Sequence, residues 1–347
     1  MTLLLNRRSL IAGAAGSLIA LPRMARAEET QIVGAGSSFI KPVMQRWIDH
    51  TPATLGVKAS YTAIGTGTAQ TRILSGDLDF AAVELPLPAD KVTNGELLQF
   101  PVAFGALVCV ATLPGIKKDQ IALTGALLGG IYAGAIKVWN DPRIAAVNPG
   151  VTLPEMDIRP FRLDTPSGAV FSTTFTFTQY LLRTNPDWRE KYGEAVPKRW
   201  AVGSMATNAE SMVDSLDGIQ GGIGYVPLGL AMNRGLTTLT IKNAAGKAVS
   251  ADLASVRATV AQVDWSATQD LVPKLLDLPG ERSWPIVLPT YALIQQHPSD
   301  RARGAAVRKF LKFAVTEGAE AAAQAFAAEL PPAPRAKVLA LLAQQNT

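Results

Sequence analysis

Gln31-Ile32-Val33-Gly34-Ala35-Gly36-Ser37-Ser38-Phe39 is the stretch that decides how the rest of the chain is read. A short apolar run ends in a loop of glycines and hydroxyls. Pro42 follows where a first helical turn tolerates proline, and Val43, Met44, Trp47 and Ile48 recur at i, i+3 and i+4 spacing. The pattern is strand, glycine loop, helix. Gly34 and Gly36 also open a dinucleotide fingerprint, but Phe39 stands at its third glycine position, so that reading is rejected.

The device repeats. Val57–Tyr61 alternates like a strand, Gly65-Thr66-Gly67-Thr68 is a second glycine-hydroxyl loop, and Ala69–Leu74 reads as a helix. Leu78–Val83 is then a short buried strand with Glu84-Leu85-Pro86 at its end. A carboxylate at the C-terminal end of a strand in an α/β sheet points to the crevice where such folds bind ligands. A solvated Glu at a loop start fits Glu84 equally well.

A third loop follows Ile158–Phe161: Arg162-Leu163-Asp164-Thr165-Pro166-Ser167-Gly168. Arg162 offers a planar fork of donors suited to phosphate or carboxylate, and Asp164 can hold that fork. Ser167 and Gly168 supply a hydroxyl and an open backbone N–H where a helix could begin, and helix N-termini attract anions. By itself the stretch also reads as a surface turn with a local Arg–Asp pair.

Between and beyond these loops, Phe100–Leu113 is an apolar strand-like run long enough to cross between lobes, and Ile121–Trp139 has a helical pattern around Gly129-Gly130. Phe171–Leu182 is ambiguous: its Thr and Phe content favours strand, its place after an anion loop favours helix. Thr237–Ile241 and Lys247–Val249 read as a hairpin across Asn243–Gly246. Trp284–Leu288 and Tyr291–Ile294 read as returning strand, and residues 303–317 and 335–344 as amphipathic helices. Strands and helices alternate, so the fold class is α/β.

The first 27 residues read as an address. Paired arginines Arg7-Arg8, an apolar run from Ser9 to Leu21 too short to span a bilayer, and Ala25-Arg26-Ala27 before Glu28 form an export signal, with the twin-arginine route favoured. Removing it takes Arg7, Arg8, Arg23 and Arg26 from the 33 basic residues and none from the 28 acidic ones, so the net charge falls from +5 to +1. The basic pI is thus no footprint for nucleic acid. The single cysteine, Cys109, excludes an intramolecular disulfide and reads as a buried inert thiol. His50 and His297 are the only histidines, too few for a His-rich metal centre.

Taken in order, these loops resemble those of the periplasmic phosphate-binding proteins of ABC uptake systems, and the likeness runs through essentially the whole mature chain. Trp139-Asn140-Asp141, Asn148-Pro149-Gly150, Ile223–Val226 and Trp284-Pro285 add to it. The resemblance implies a two-lobed type II solute-binding fold with two crossover strands and a ligand cleft between lobes. Residues 28–105 and 289–347 would form lobe I, and 106–288 lobe II. It assigns anion binding to Ser38, the Phe39 backbone N–H, Thr66, Glu84, Arg162, Asp164, Ser167 and Gly168. It implies a periplasmic location after cleavage at Ala27, no cofactor, no metal and no catalysis. The implied partners are inorganic phosphate or a related oxyanion and inner-membrane permease subunits, with the chain a monomer.

The chain departs from the family pattern at Glu84, where aspartate is usual, at Pro166, which inserts a residue, and at Ala169, which replaces a hydroxyl. Another tetrahedral oxyanion or a phosphonate is therefore the alternative ligand. A different class, a secreted hydrolase using a serine of Gly36-Ser37-Ser38, needs a base that neither histidine's context supplies.

Overall fold

The computed structural model describes residues 29–164, 171–194 and 196–344. The expected export segment lies outside them, and so do Pro166, Ser167, Gly168 and Ala169.

The chain begins with β1 (Thr30–Gly36), α1 (Lys41–Asp49), a single 3-10 turn at Ala53–Leu55, β2 (Val57–Ala63), α2 (Thr66–Leu74), β3 (Phe80–Val83) and α3 (Ala89–Asn94). Then β4 (Leu97–Thr112) carries it into a second half. This holds β5 (Ala122–Leu123), α4 (Gly125–Tyr132), α5 (Pro142–Ala145), β6 (Arg159–Leu163), α6 (Ser172–Thr184), α7 (Pro186–Tyr192) and β7 (Ser204–Ala206). It continues through α8 (Ala209–Asp217), β8 (Gly222–Pro227), α9 (Leu228–Asn233), β9 (Thr240–Lys242), β10 (Ala248–Val249) and α10 (Leu253–Val260). The return is made by β11 (Val287–Gln295), followed by α11 (Arg301–Val315), α12 (Ala319–Gln324) and α13 (Pro332–Ala343).

One eight-stranded sheet, in the order β2-β1-β3-β11-β4-β8-β6-β7, runs through both halves, and a small sheet β10-β9-β5 flanks the second. β4 is the shared strand. It pairs antiparallel with β11 as far as Ala106 and with β8 from Leu107 onward. Almost all of β4 is buried, which is why its sequence is a continuous apolar run rather than an alternating one. Cys109 sits in it, and burial pushes its thiol up to about 12, consistent with an inert packing role.

Several expectations change. Gly34 and Gly36 lie inside β1, and the turn starts only at Ser37. A Cβ on Gly34 would stand 2.1 Å from the Phe80 ring, and one on Gly36 1.9 Å from the Ala82 carbonyl. Close approach of β1 to β3 demands these glycines, not a turn. Gly65 does serve a turn, with φ of 85° immediately before α2. The helix expected over Ile121–Trp139 is only α4, because Ala122–Leu123 pair with β9 and Gly134 takes a positive φ of 78°. Thr124 caps its start by accepting from the Leu127 N–H. The runs Trp284–Leu288 and Tyr291–Ile294 contribute to one strand, β11, whose register shifts between Thr290 and Tyr291.

Phe171–Leu182 resolves to helix, as α6. Phe177, Tyr180 and Leu181 make its buried face, and the Phe177 ring stacks on Tyr225 of β8 at 4.2 Å. Packing of that face overrides the strand propensity of its threonines. In the first half, α11 buries Val307, Phe310, Leu311 and Ala314, and Phe310 meets Phe80 of β3 at 5.6 Å. Among the described residues no helix is long and apolar enough to cross a membrane.

Candidate anion site between the two halves

Three of the elements that follow a parallel strand end at one place. Ser37 leaves β1, Glu84 leaves β3, and Thr66 opens α2 after Gly65. β11 adds Thr290 at its register shift, and α6 of the second half adds Ser172, its first residue.

Glu84 is the centre of this group, with only 3% of its surface exposed. Its Oε2 accepts a 2.8 Å hydrogen bond from the Ser172 hydroxyl and a longer one, 3.5 Å, from Thr66. Oε1 accepts from the Thr290 hydroxyl at 3.5 Å, and the Ser37 hydroxyl also favours the charged form by hydrogen bonding. Burial raises the carboxyl from its ordinary value to about 7, and the hydroxyls only partly offset this. Tyr61 of β2 closes the far side: its hydroxyl donates to the Ser37 carbonyl at 2.9 Å, and burial and the nearby Glu84 push its pKa up.

Arg162 stands at a second place, near the end of β6. Its guanidinium donates to the Asp164 carboxylate and lies over Trp200, 5.7 Å from the ring centroid. Its Nε is buried and has no hydrogen-bond partner among the described residues. A buried donor on a cation is costly without an acceptor, so this side of the guanidinium suits an anionic oxygen. The ends of the segment that contains Ser167 and Gly168 are firmly tied. Asp164 N–H donates to Ala206 O at 3.0 Å, and Leu163 N–H donates to the Tyr225 hydroxyl at 3.1 Å. On the far side, Thr174 of α6 donates to Leu163 O at 2.9 Å.

The expected residues thus fall into groups. Thr66 and Glu84 are brought together, and Arg162 and Asp164 form a pair, with no hydrogen bond or ion pair between the groups among the described residues. Ser38 is exposed at the surface. Phe39 packs its ring on β4, where a Cβ at Gly105 would meet it at 2.6 Å, and its N–H donates to the Ser37 hydroxyl at 3.1 Å. Ser167 and Gly168 lie outside the described residues. A cleft of about 560 Å³ opens beside Glu84, walled by Leu85, Pro86 and Tyr291 on one half and Phe175, Gln179 and Leu182 of α6 on the other.

Ser172, Thr290 and Trp200 were not singled out from the sequence, and Ser37 entered only as one of two serines in the hydrolase alternative. Ser37 adjoins Ser38 in the quoted loop, and only the buried position distinguishes it. Thr290 sits inside an apolar run, and Ser172 inside the stretch whose secondary structure was ambiguous. Among the described residues no cluster of His, Cys, Asp and Glu could hold a metal ion.

The profile of the PBP superfamily domain matches residues 24–317. A phosphate-binding protein PstS of Xylella fastidiosa is 32% identical over 311 residues, covering 90% of this chain and 84% of that protein. Among solved structures, a high-affinity periplasmic phosphate-binding protein with phosphate bound superposes with a TM-score of 0.68 at 19% identity, covering 90% of this chain and 93% of that one. A putative phosphate ABC transporter substrate-binding protein from Clostridium perfringens, also with phosphate, gives 0.60 at 13% identity, covering 87% and 100%. The fold is therefore the two-lobed type II periplasmic-binding fold, with β4 running through both halves of its sheet. The chain belongs to the PBP superfamily and, within it, to the family of PstS phosphate-binding proteins.

Proposed function

We propose that this chain captures inorganic phosphate between its lobes and hands it to an ABC permease. The relatives with this name and the phosphate-bound neighbours support that reading. The observation that carries it is Glu84. A buried carboxylate repels any anion brought beside it, unless that anion carries a proton to donate. Hydrogen phosphate does and sulfate does not, although their shapes are nearly the same.

In this reading Arg162 supplies the charge and its open Nε, and Asp164 orients the guanidinium. Glu84 accepts the ligand's proton, and Thr66 donates. Ser38, the Phe39 N–H, Ser167 and Gly168 complete the donors as lobe closure brings the groups together. The hinge lies where β4 changes partner at Ala106–Leu107 and where β11 shifts register. The cleft beside Glu84 has room for an organic substituent, so a phosphonate is the second reading.

The chain acts as a binding protein rather than an enzyme, exported behind residues 1–27 and working as a monomer in the periplasm. Equilibrium dialysis of residues 28–347 with labelled phosphate tests this. Retention that survives excess sulfate is expected, with displacement by phosphonates marking the second reading. No retention, or release of phosphate from a chromogenic ester, would refute it.

A further inference from the structure

Glu84 stands in lobe I, yet one of its close hydrogen bonds comes from lobe II. Ser172, 7% exposed, donates from its hydroxyl to Glu84 Oε2 at 2.8 Å, while the lobe I hydroxyls of Thr66 and Thr290 stand at 3.5 Å. The backbone reason is visible. Ser172 is the first residue of α6, and Thr174, two residues on, is fixed to Leu163 O and to the Tyr225 hydroxyl at 2.9 Å each. The hydroxyl is therefore presented from a helix end locked to β6 and β8. The extra methylene of glutamate, compared with aspartate, lets the carboxyl reach it.

We propose that Ser172 is the positioning residue that holds Glu84 aimed and ionised for the ligand's proton, so that the two lobes jointly set the choice between protonated and unprotonated oxyanions. This rests on Glu84 acting as the proton acceptor. Selectivity is then a joint property of both lobes, because α6 of lobe II supplies a donor that lobe I hydroxyls alone do not. A hydroxyl donating to a carboxylate stabilises the ionised form. The groups that face Glu84 are the neutral hydroxyls of Ser37, Thr66, Ser172 and Thr290, with Tyr61 of β2 as the nearby titratable group. Arg183, Arg189 and Lys274 line the cleft beside Glu84, yet none of them is among the groups that act on its carboxyl.

The test compares Ser172→Ala and Ser172→Thr with the unaltered protein. Ionisation of the Glu84 carboxyl is followed by carbon-13 NMR of the ligand-free protein, and phosphate and sulfate affinities by calorimetry from pH 5.5 to 9. In Ser172→Ala the carboxyl should ionise about one pH unit higher, the size of one charge-assisted hydrogen bond, and Ser172→Thr should restore it. The phosphate-to-sulfate ratio should rise with pH along the same shifted curve, reduced up to tenfold near neutrality. An unmoved carboxyl titration overturns the role of Ser172 and leaves Glu84 to its own variant. A titration that moves while the ratio stays put overturns Glu84 as the acceptor, and with it the selectivity assigned to Ser172.

Discussion

The guanidinium carbon of Arg162 lies 5.7 Å from the centroid of the Trp200 ring, so an aromatic face as well as the Asp164 carboxylate fixes this cation. Its side chain is 17% exposed, with Nε buried and without a partner among the described residues. Arg162→Ala is expected to weaken phosphate binding by about 2–5 kcal/mol, the usual cost of losing one partner of a buried charge pair. Asp164→Asn should cost much less, since an amide oxygen still accepts from the guanidinium. Calorimetry on both variants, beside far-UV spectra of the ligand-free proteins, checks the division of roles. Equal losses would contradict it.

Glu84 should also make the ligand-free protein less stable in alkali. Its folded carboxyl titrates near 7, above the value of about 4.5 that it has when unfolded. Between those values the native state binds the extra proton, so stability falls as pH rises through that window. The full difference is on the order of 3 kcal/mol, at about 1.4 kcal/mol per unit. Urea unfolding at pH 4, 6 and 8 should show this slope in the unaltered protein and lose it in Glu84→Gln. Parallel slopes would show that the carboxyl is not buried as described.

Gly36 tests the packing that builds the site. A Cβ there would meet the Ala82 carbonyl at 1.9 Å and the Tyr61 hydroxyl at 2.5 Å, and neither backbone nor tyrosine can give that much. Gly36→Ala is expected to destabilise by about 3 kcal/mol. Chemical denaturation measures it. A cost within about 0.5 kcal/mol would mean that β1 and β3 are farther apart than described.

Much of this was readable from residues alone. The repeated strand–loop–helix units, Glu84 at the end of β3 and the Arg162–Asp164 pair all follow from local pattern and side-chain chemistry. The glycines of β1 were misread as a turn because a glycine at φ near that of a strand looks the same in sequence as one in a loop. Their reason lies across the sheet, in Phe80 and Ala82. Ser172 and Thr290 were invisible for a similar cause, since each meets Glu84 only through contacts 88 and 206 positions away along the chain. Phe171–Leu182 could not be decided because Thr and Phe favour strands locally, while the stacking of Phe177 on Tyr225 is a tertiary effect.

The central claim is that Glu84 selects the ligand by accepting its proton. Its direct measurement is the ratio of phosphate to sulfate affinity, by calorimetry at pH 8, in the unaltered protein and in Glu84→Gln. A site that depends on one ligand hydrogen bond discriminates by roughly 10⁴–10⁵, so a large ratio is expected in the unaltered protein. In Glu84→Gln the amide can donate to sulfate, and the ratio should fall by about a hundredfold or more while phosphate binding itself weakens less. A ratio that is the same in both proteins would remove Glu84 from the site and contradict the account.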